Sequence, residues 1–137
     1  MSNQEIKSLG QRFFKEQDRL RGGPADELCA SNYTAHIGGN PPLNLAGHKQ
    51  FARMFYGAFP DLNHSVDDTV AEGDKVVVRF TIRGTHTGSF MGIPATGKSI
   101  TVGAVVVFHV VNGKVAELRA QFDQMGMMQQ LGVIPAA

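Results

Sequence analysis

The sequence predicts an α+β fold, and three observations carry that prediction. Before Pro60, apolar residues recur at the three-four spacing of helices in two stretches. After Asp61 they alternate one by one, which is the period of strands. Glu72-Gly73-Asp74 and Asn112-Gly113 then mark hairpin turns within that second half. Helices first and antiparallel strands after is the α+β order.

Each element follows from its own residues. Ser2 or Asn3 caps a helix running to about Leu20, with Ile6, Leu9, Phe13, Gln17 and Leu20 on one face and Phe14 widening the stripe. Gly22 and Gly23 stop it, and Pro24 opens a short helix through Leu28 and Cys29. Tyr33 to Ile37 reads as a short strand, ended by Gly38-Gly39-Asn40-Pro41-Pro42. From Gly47 to Phe59 the apolar positions Phe51, Met54, Phe55, Ala58 and Phe59 restore helical spacing, and Pro60 closes that helix. Strands are expected over Asn63–Ala71 and Lys75–Arg83. In the second of these, Val76, Val78, Phe80 and Ile82 face one way, and Val77, Arg79, Thr81 and Arg83 the other. A glycine-rich loop from Gly84 to Gly97 leads into a long β-branched run, Ile100 to Val111. The last strand runs from Lys114 to about Asp123, and a short helix covers Met125 to Leu131. With no repeat or linker, residues 1–137 read as a single domain.

Composition narrows the function. Apolar residues make up 42% of the chain, enough for a packed interior. The net charge is +1 with no basic run, so the electrostatic footprint of a nucleic-acid or anionic-membrane binder is missing. Cys29 is the one cysteine, which rules out an intrachain disulfide and leaves a buried inert thiol or a lone nucleophile. Met1 to Leu20 mixes charged and apolar residues, unlike a signal peptide or a membrane span, and a cytoplasmic location is expected.

Several motifs suggest chemistry that their context denies. Gly92-Ile93-Pro94-Ala95-Thr96-Gly97-Lys98-Ser99 has P-loop spacing, but strand residues follow it where a helix N-terminus must receive the phosphates. His36, His48, His64, His86 and His109 lack the close pairing of metal ligands, so no metal is expected. No GxSxG elbow supports a serine hydrolase. The last strand is different. Val115, Glu117, Arg119, Gln121 and Asp123 share one parity, and Ala116, Leu118, Ala120 and Phe122 the other. The first set is a solvated face in an ordinary sheet, or a ligand-facing one if the sheet curls around a cavity.

At this point the residues resemble a family. Gly84 to Lys98 (GTHTGSFMGIPATGK) looks like the signature loop of SnoaL-like polyketide cyclases, also called ester cyclases, within the nuclear-transport-factor-2-like superfamily. Asp123 to Gly132 (DQMGMMQQLG) resembles that family's C-terminal motif. Phe59-Pro60-Asp61-Leu62 and Tyr33 to His36 also fall where the family has similar residues, so the resemblance runs from about Ile6 to Pro135. It implies a cone-shaped barrel, a strongly curved, mainly antiparallel sheet packed on three N-terminal helices, that encloses a pocket and pairs into homodimers through the sheet.

The resemblance also implies a mechanism. Asp123 matches the aspartate that serves as general acid/base in an intramolecular aldol closure needing no cofactor. A carboxylate desolvated in an apolar pocket suits such proton transfers, since burial raises its pKa toward neutral. His36 and His86 are candidate hydrogen-bonding partners of the developing enolate; alternatively His86 braces the loop and His36 is a satisfied core histidine. Phe51, Phe55, Phe59, Phe90 and Met91, with Tyr33, either wall the pocket or are plain core. The chain departs from the family where many members carry tryptophan before the aspartate, and Leu118-Arg119 stand there instead. Arg119 would lower the pKa of Asp123, or hold an acidic substrate or oxyanion. With Gln121 it is a candidate substrate-binding residue. The expected ligand is a small hydrophobic or carbonyl-containing molecule. Ring closure, isomerisation and dehydration are all served by one such site; a non-catalytic carrier of a small lipophile is the alternative.

Overall fold

The structure, a computed structural model, describes residues 1–135. Helix α1 spans Asn3–Leu20 and begins in a reciprocal capping box. Ser2 Oγ accepts the Glu5 N–H at 3.1 Å, and Glu5 Oε1 accepts the Ser2 N–H at 3.0 Å. The short helix expected after Pro24 is only a single 3-10 turn over Asp26–Leu28. Strand β1 spans Cys29–Ile37 and starts before the expected Tyr33. Ala30, Ser31 and Asn32 carry no strand signal of their own; pairing with a distant strand draws them in, with an irregular register between Cys29 and Thr34. Helix α2, Leu45–Ala58, is capped by Asn44, whose Oδ1 accepts the Gly47 N–H at 2.8 Å.

Strands β2 (Asn63–Glu72), β3 (Lys75–Thr85), β4 (Ser99–Val111) and β5 (Lys114–Phe122) form an antiparallel meander, and helix α3 covers Gln124–Leu131. The sheet order is β1-β5-β4-β3-β2, with β1 parallel to β5. It is not closed, because β1 and β2 remain as edges. Three helices thus pack on a five-stranded, mostly antiparallel sheet, but the third follows the sheet instead of preceding it. Strand β4 begins at Ser99, the last residue of the P-loop-like segment, so a strand follows where a phosphate-binding loop needs a helix.

Alternation along the strands gives the sheet one packed face. Ile100, Val102, Ala104, Val106, Phe108 and Val110 of β4 are all buried, as are Val76, Val78 and Phe80 of β3. Against them lie Ile6, Leu9, Phe13 and Phe14 of α1. A second cluster joins Ala52, Tyr56 and Phe59 of the α2 end to Phe90, Ile100, Met127 and Leu131. Two clamps bring the loops after α2 and β3 together here. Asp61 accepts both the backbone N–H (2.7 Å) and the hydroxyl (2.8 Å) of Thr85. These bonds hold its carboxyl below the ordinary carboxylate value. Gly88 lies so close to α2 that an added Cβ would stand 2.3 Å from the Gly57 carbonyl oxygen.

Candidate active site

A cavity of about 90 Å³ lies between α1, α2 and the packed face of the sheet. Phe13, Phe14, Phe51, Phe55, Phe80 and Phe122 supply its aromatic wall, and Leu118 and Ala120 of β5 close the far side. Five polar side chains interrupt this apolar lining: Gln17, His48, Tyr56 and His64, with Gln121 at the edge. Polar groups in such a place are costly unless each finds a partner.

Asp18, near the end of α1, organises the first group. Its Oδ1 accepts from His64 Nδ1 at 2.7 Å and from the Tyr56 hydroxyl at 2.5 Å. Its Oδ2 accepts the His64 backbone N–H at 2.7 Å. Burial works against the Asp18 charge, yet the bonds and charge of His64, with Tyr56, outweigh it and hold the carboxyl below its ordinary value. The His64 ring is stacked on Phe14 at 5.1 Å and flanked by Phe80 at 5.6 Å.

His48 forms the second group. It projects from the first turn of α2, is 5% exposed, and meets the Tyr33 hydroxyl at 2.7 Å through Nδ1. Burial first, and the nearby His64 second, push its imidazole down to about 4, so it is neutral at pH 7. Burial also pushes the Tyr33 phenol up, and its hydroxyl stays protonated. Gln17 completes the set; its Oε1 is buried with no partner among the described residues.

A second hollow of about 180 Å³ lies outside the first, lined in part by Met54, Phe90, Met91 and Gln124. Phe51, Phe55 and Phe122 border both spaces. They form an aromatic partition, with Phe55 at 5.1 Å from Phe51 and 6.2 Å from Phe122. Of the expected wall residues, Phe51 and Phe55 therefore line both spaces and Phe90 and Met91 the outer one. Phe59 does not; it is fully buried against His86 and Phe90 in the second core cluster. Tyr33 stands behind His48 instead of lining the cavity.

The residues expected to do the chemistry lie elsewhere. Asp123 is exposed at the N-cap of α3, where Oδ1 accepts the Gly126 N–H at 2.9 Å. It borders a shallow depression with Arg79, Thr81 and Val105, which shares Phe80, Ala104, Gln121 and Phe122 with the cavity, and its carboxyl is exposed instead of desolvated. A bulge opposite His109 and Val110 turns Val115 inward, while Glu117, Arg119 and Gln121 keep the outer side. The parity shared by Arg119 and Asp123 is thus the outer one. Arg119 pairs with Glu117 at 3.0 Å, and Glu117 also meets His36 at 3.7 Å on that outer face. Gln121 is exposed as a whole but touches the cavity edge. His86 is fully buried away from the cavity, and its Nδ1 accepts the Thr96 N–H at 3.2 Å. It braces the glycine-rich loop, the plainer of its two readings.

Asp18, Tyr56 and the roles of Gln17, His48 and His64 escaped the sequence. One signal was present. Gln17 occupies a place on the apolar stripe of α1, where a polar side chain is out of pattern. For His48 and His64 the sequence offers only metal ligation, which their spacing denies. Among the described residues no group of three or more histidine, cysteine or acidic side chains could hold a metal ion.

Comparison with known proteins places this architecture. Residues 9–131 match the SnoaL-like polyketide cyclase family. Aklanonic acid methyl ester cyclase DnrD of Streptomyces peucetius is 32% identical over 60 residues, 44% of this chain and 41% of DnrD. The chain thus matches well under half the length of that curated relative. Among solved structures, AclR of Streptomyces galilaeus, described as a candidate hydroxylase, superposes with a TM-score of 0.86 at 26% identity, over 99% of this chain and 86% of its own. IdmH of Streptomyces antibioticus, a candidate polyketide cyclase, gives a TM-score of 0.75 at 28% identity, over 94% of this chain and 96% of its own. With nearly the whole fold inside the matched region, the chain belongs to the SnoaL-like polyketide cyclase family.

Proposed function

We propose that this protein is a cofactor-independent acid–base enzyme acting on a small carbonyl compound, with intramolecular aldol closure the favoured reaction. The observation that carries the reading is the convergence of five polar side chains, two of them histidines with oriented rings, on one apolar cavity. Such a site can remove a proton next to a carbonyl and hydrogen-bond the resulting oxyanion, each worth orders of magnitude in rate. The same steps serve isomerisation and dehydration. The inner cavity is small against the roughly 300–1,000 Å³ of pockets for drug-sized ligands. A substrate of that size would have to displace Phe55 and occupy the outer hollow as well.

The family resemblance gives the proton transfer to Asp123, and its capping position allows a clean test, because asparagine caps a helix as well as aspartate does. Aryl ketones and 1,3-dicarbonyl compounds would be incubated in D₂O and followed by NMR. Exchange of the hydrogens next to the carbonyl, faster than buffer alone, is expected. Binding without exchange would instead support a carrier of small lipophiles, for which the largely apolar wall is the favouring feature. Loss of exchange in Asp123→Asn would make Asp123 the base; retention would place the base in the cavity.

The proposal extends to a homodimer through the outer face of the sheet. Val70, Val77 and Val107 stand in one row across β2, β3 and β4, continued by Arg119 and His36 on β5 and β1. Val70 is 63% exposed and the neighbouring Val105 42%. Light scattering should report twice the chain mass at micromolar concentration, and a monomer would defeat this part of the reading.

A further inference from the structure

Acid–base chemistry in the cavity needs a named proton-carrying atom. We propose that His64 Nε2 is the acid/base of the site, oriented by Asp18, and that the His48 Nε2–H is the donor that meets the substrate oxygen. This rests on the proposed carbonyl chemistry and moves it from Asp123 to the side of the cavity built by α1, α2 and β2.

The tautomer of His64 follows from its partner. Asp18 is a carboxylate with three hydrogen bonds to accept, from the Tyr56 hydroxyl, the His64 backbone N–H and His64 Nδ1. A carboxylate can only accept, so Nδ1 must carry the hydrogen. The neutral ring then presents a lone pair at Nε2, which has no protein partner among the described residues. With Phe14 and Phe80 against the ring and only 7% of the side chain exposed, the cavity is the space left to that nitrogen. When Nε2 takes a proton, the imidazolium forms 2.7 Å from an existing negative charge. Without Asp18 it would be an isolated cation in an apolar wall.

His48 complements this arrangement. The buried Tyr33 hydroxyl has no other acceptor among the described residues, so it donates to His48 Nδ1 and leaves the single ring hydrogen on Nε2. His48 lines the same cavity as His64. One ring therefore offers a lone pair and the other an N–H. Asp18 and Tyr33 are positioning residues, since each acts through a ring nitrogen.

The ligand class is a ketone bearing an acidic hydrogen next to its carbonyl. His64 Nε2 takes that proton, the C–H electron pair becomes the enolate double bond, and the carbonyl π pair moves to the oxygen held by His48 Nε2–H. In a substrate with a second carbonyl, the enolate carbon forms the C–C bond and the second oxygen takes the proton back from His64. The cycle balances with no oxidant, reductant or cofactor.

The test uses the whole chain with ¹⁵N-labelled histidine and 4-nitrophenol, whose phenolate imitates an enolate oxygen and is coloured. 4-Nitroanisole, which has no proton to give, is the control. At pH 6 bound 4-nitrophenol should show the phenolate band, and His64 Nε2 in that complex should stand at the position of a protonated nitrogen. His48 should keep a single N–H. His64→Asn retains an N–H for Asp18 but lacks Nε2; it should bind the phenol within about threefold of wild type and show no phenolate band. Asp18→Asn should lower the bound phenolate about tenfold, the size of one pKa unit, with total binding little changed. Asp123→Asn should keep the band. The proposal is overturned if His64→Asn keeps the band, if Asp123→Asn loses it, or if the neutral His64 ring, read at high pH, carries its hydrogen on Nε2. Failure of both probes to bind wild type would sink the cavity reading of the previous section, and this assignment with it.

Discussion

Acid should weaken this fold through His48 before it reaches the carboxylates. Burial, and then His64, depress the imidazole from 6.5 to about 4 in the folded state. Above pH 6.5 neither folded nor unfolded chain is protonated there, and His48 contributes nothing to the pH dependence. Between pH 6.5 and about 4 the unfolded chain alone binds the proton, so stability falls as pH falls. At about 1.4 kcal/mol per pKa unit the full effect is about 3 kcal/mol, a large share of the stability of a small domain. Asp18 works in a separate window. Burial opposes its charge, but His64 and Tyr56 hold its folded value below 3.8, so its contribution is lost only as pH falls below that point. The assay is urea unfolding followed by circular dichroism from pH 7 to 4.5, on wild type and His48→Gln, whose amide does not titrate. The stability difference between them should shift by about 2.5 kcal/mol in favour of the variant over that range. Parallel curves would refute the reasoning, because they would mean that folded His48 takes up the proton as readily as the unfolded chain.

Four further outcomes follow from packing and capping. Gly88→Ala places a Cβ against the Gly57 carbonyl and should cost about 1–3 kcal/mol by calorimetry. Gly57→Ala, with open space around it, should be neutral or slightly stabilising. Asp123→Ala should lose about 1 kcal/mol as a missing cap in thermal melts, and Asp123→Asn should recover nearly all of it. The Cys29 thiol, pushed up to about 12 chiefly by burial, should stay unlabelled by Ellman's reagent in the native protein and react on unfolding; immediate labelling at pH 8 would contradict its burial.

How far the sequence reaches depends on whether a feature is local. The helices of Ile6 to Leu20 and Phe51 to Phe59 and the hairpins at Gly73 and Gly113 rest on periodicity and turn chemistry within a few residues, and they are where they were expected. Cys29 to Asn32 joins a strand only because β5 lies beside it, which no local pattern states. The site is less legible for the same reason. Asp18, Tyr33, His48, Tyr56 and His64 come from four different elements, and their pairing exists only after α1, α2 and the sheet have closed together. Asp123 drew attention through its motif and strand parity. Parity gave the correct side for Leu118 and Phe122, but it could not say that the opposite side is solvent. Gln17 was the one local anomaly pointing to the interior.

The parallel pairing of β1 with β5 has a consequence for how the molecule forms. Among the described residues Cys29 to Ile37 has no other strand beside it, so this segment must wait for Lys114 to Phe122. On a ribosome it would be exposed while most of the remaining chain is made, and the meander from β2 to β5 would assemble first from neighbouring hairpins. Such long-range closure is entropically slow compared with hairpin formation. Tyr33 and the orientation of His48 ride on that last strand to dock, so ligand-binding competence arises late in folding, after most of the sheet already exists.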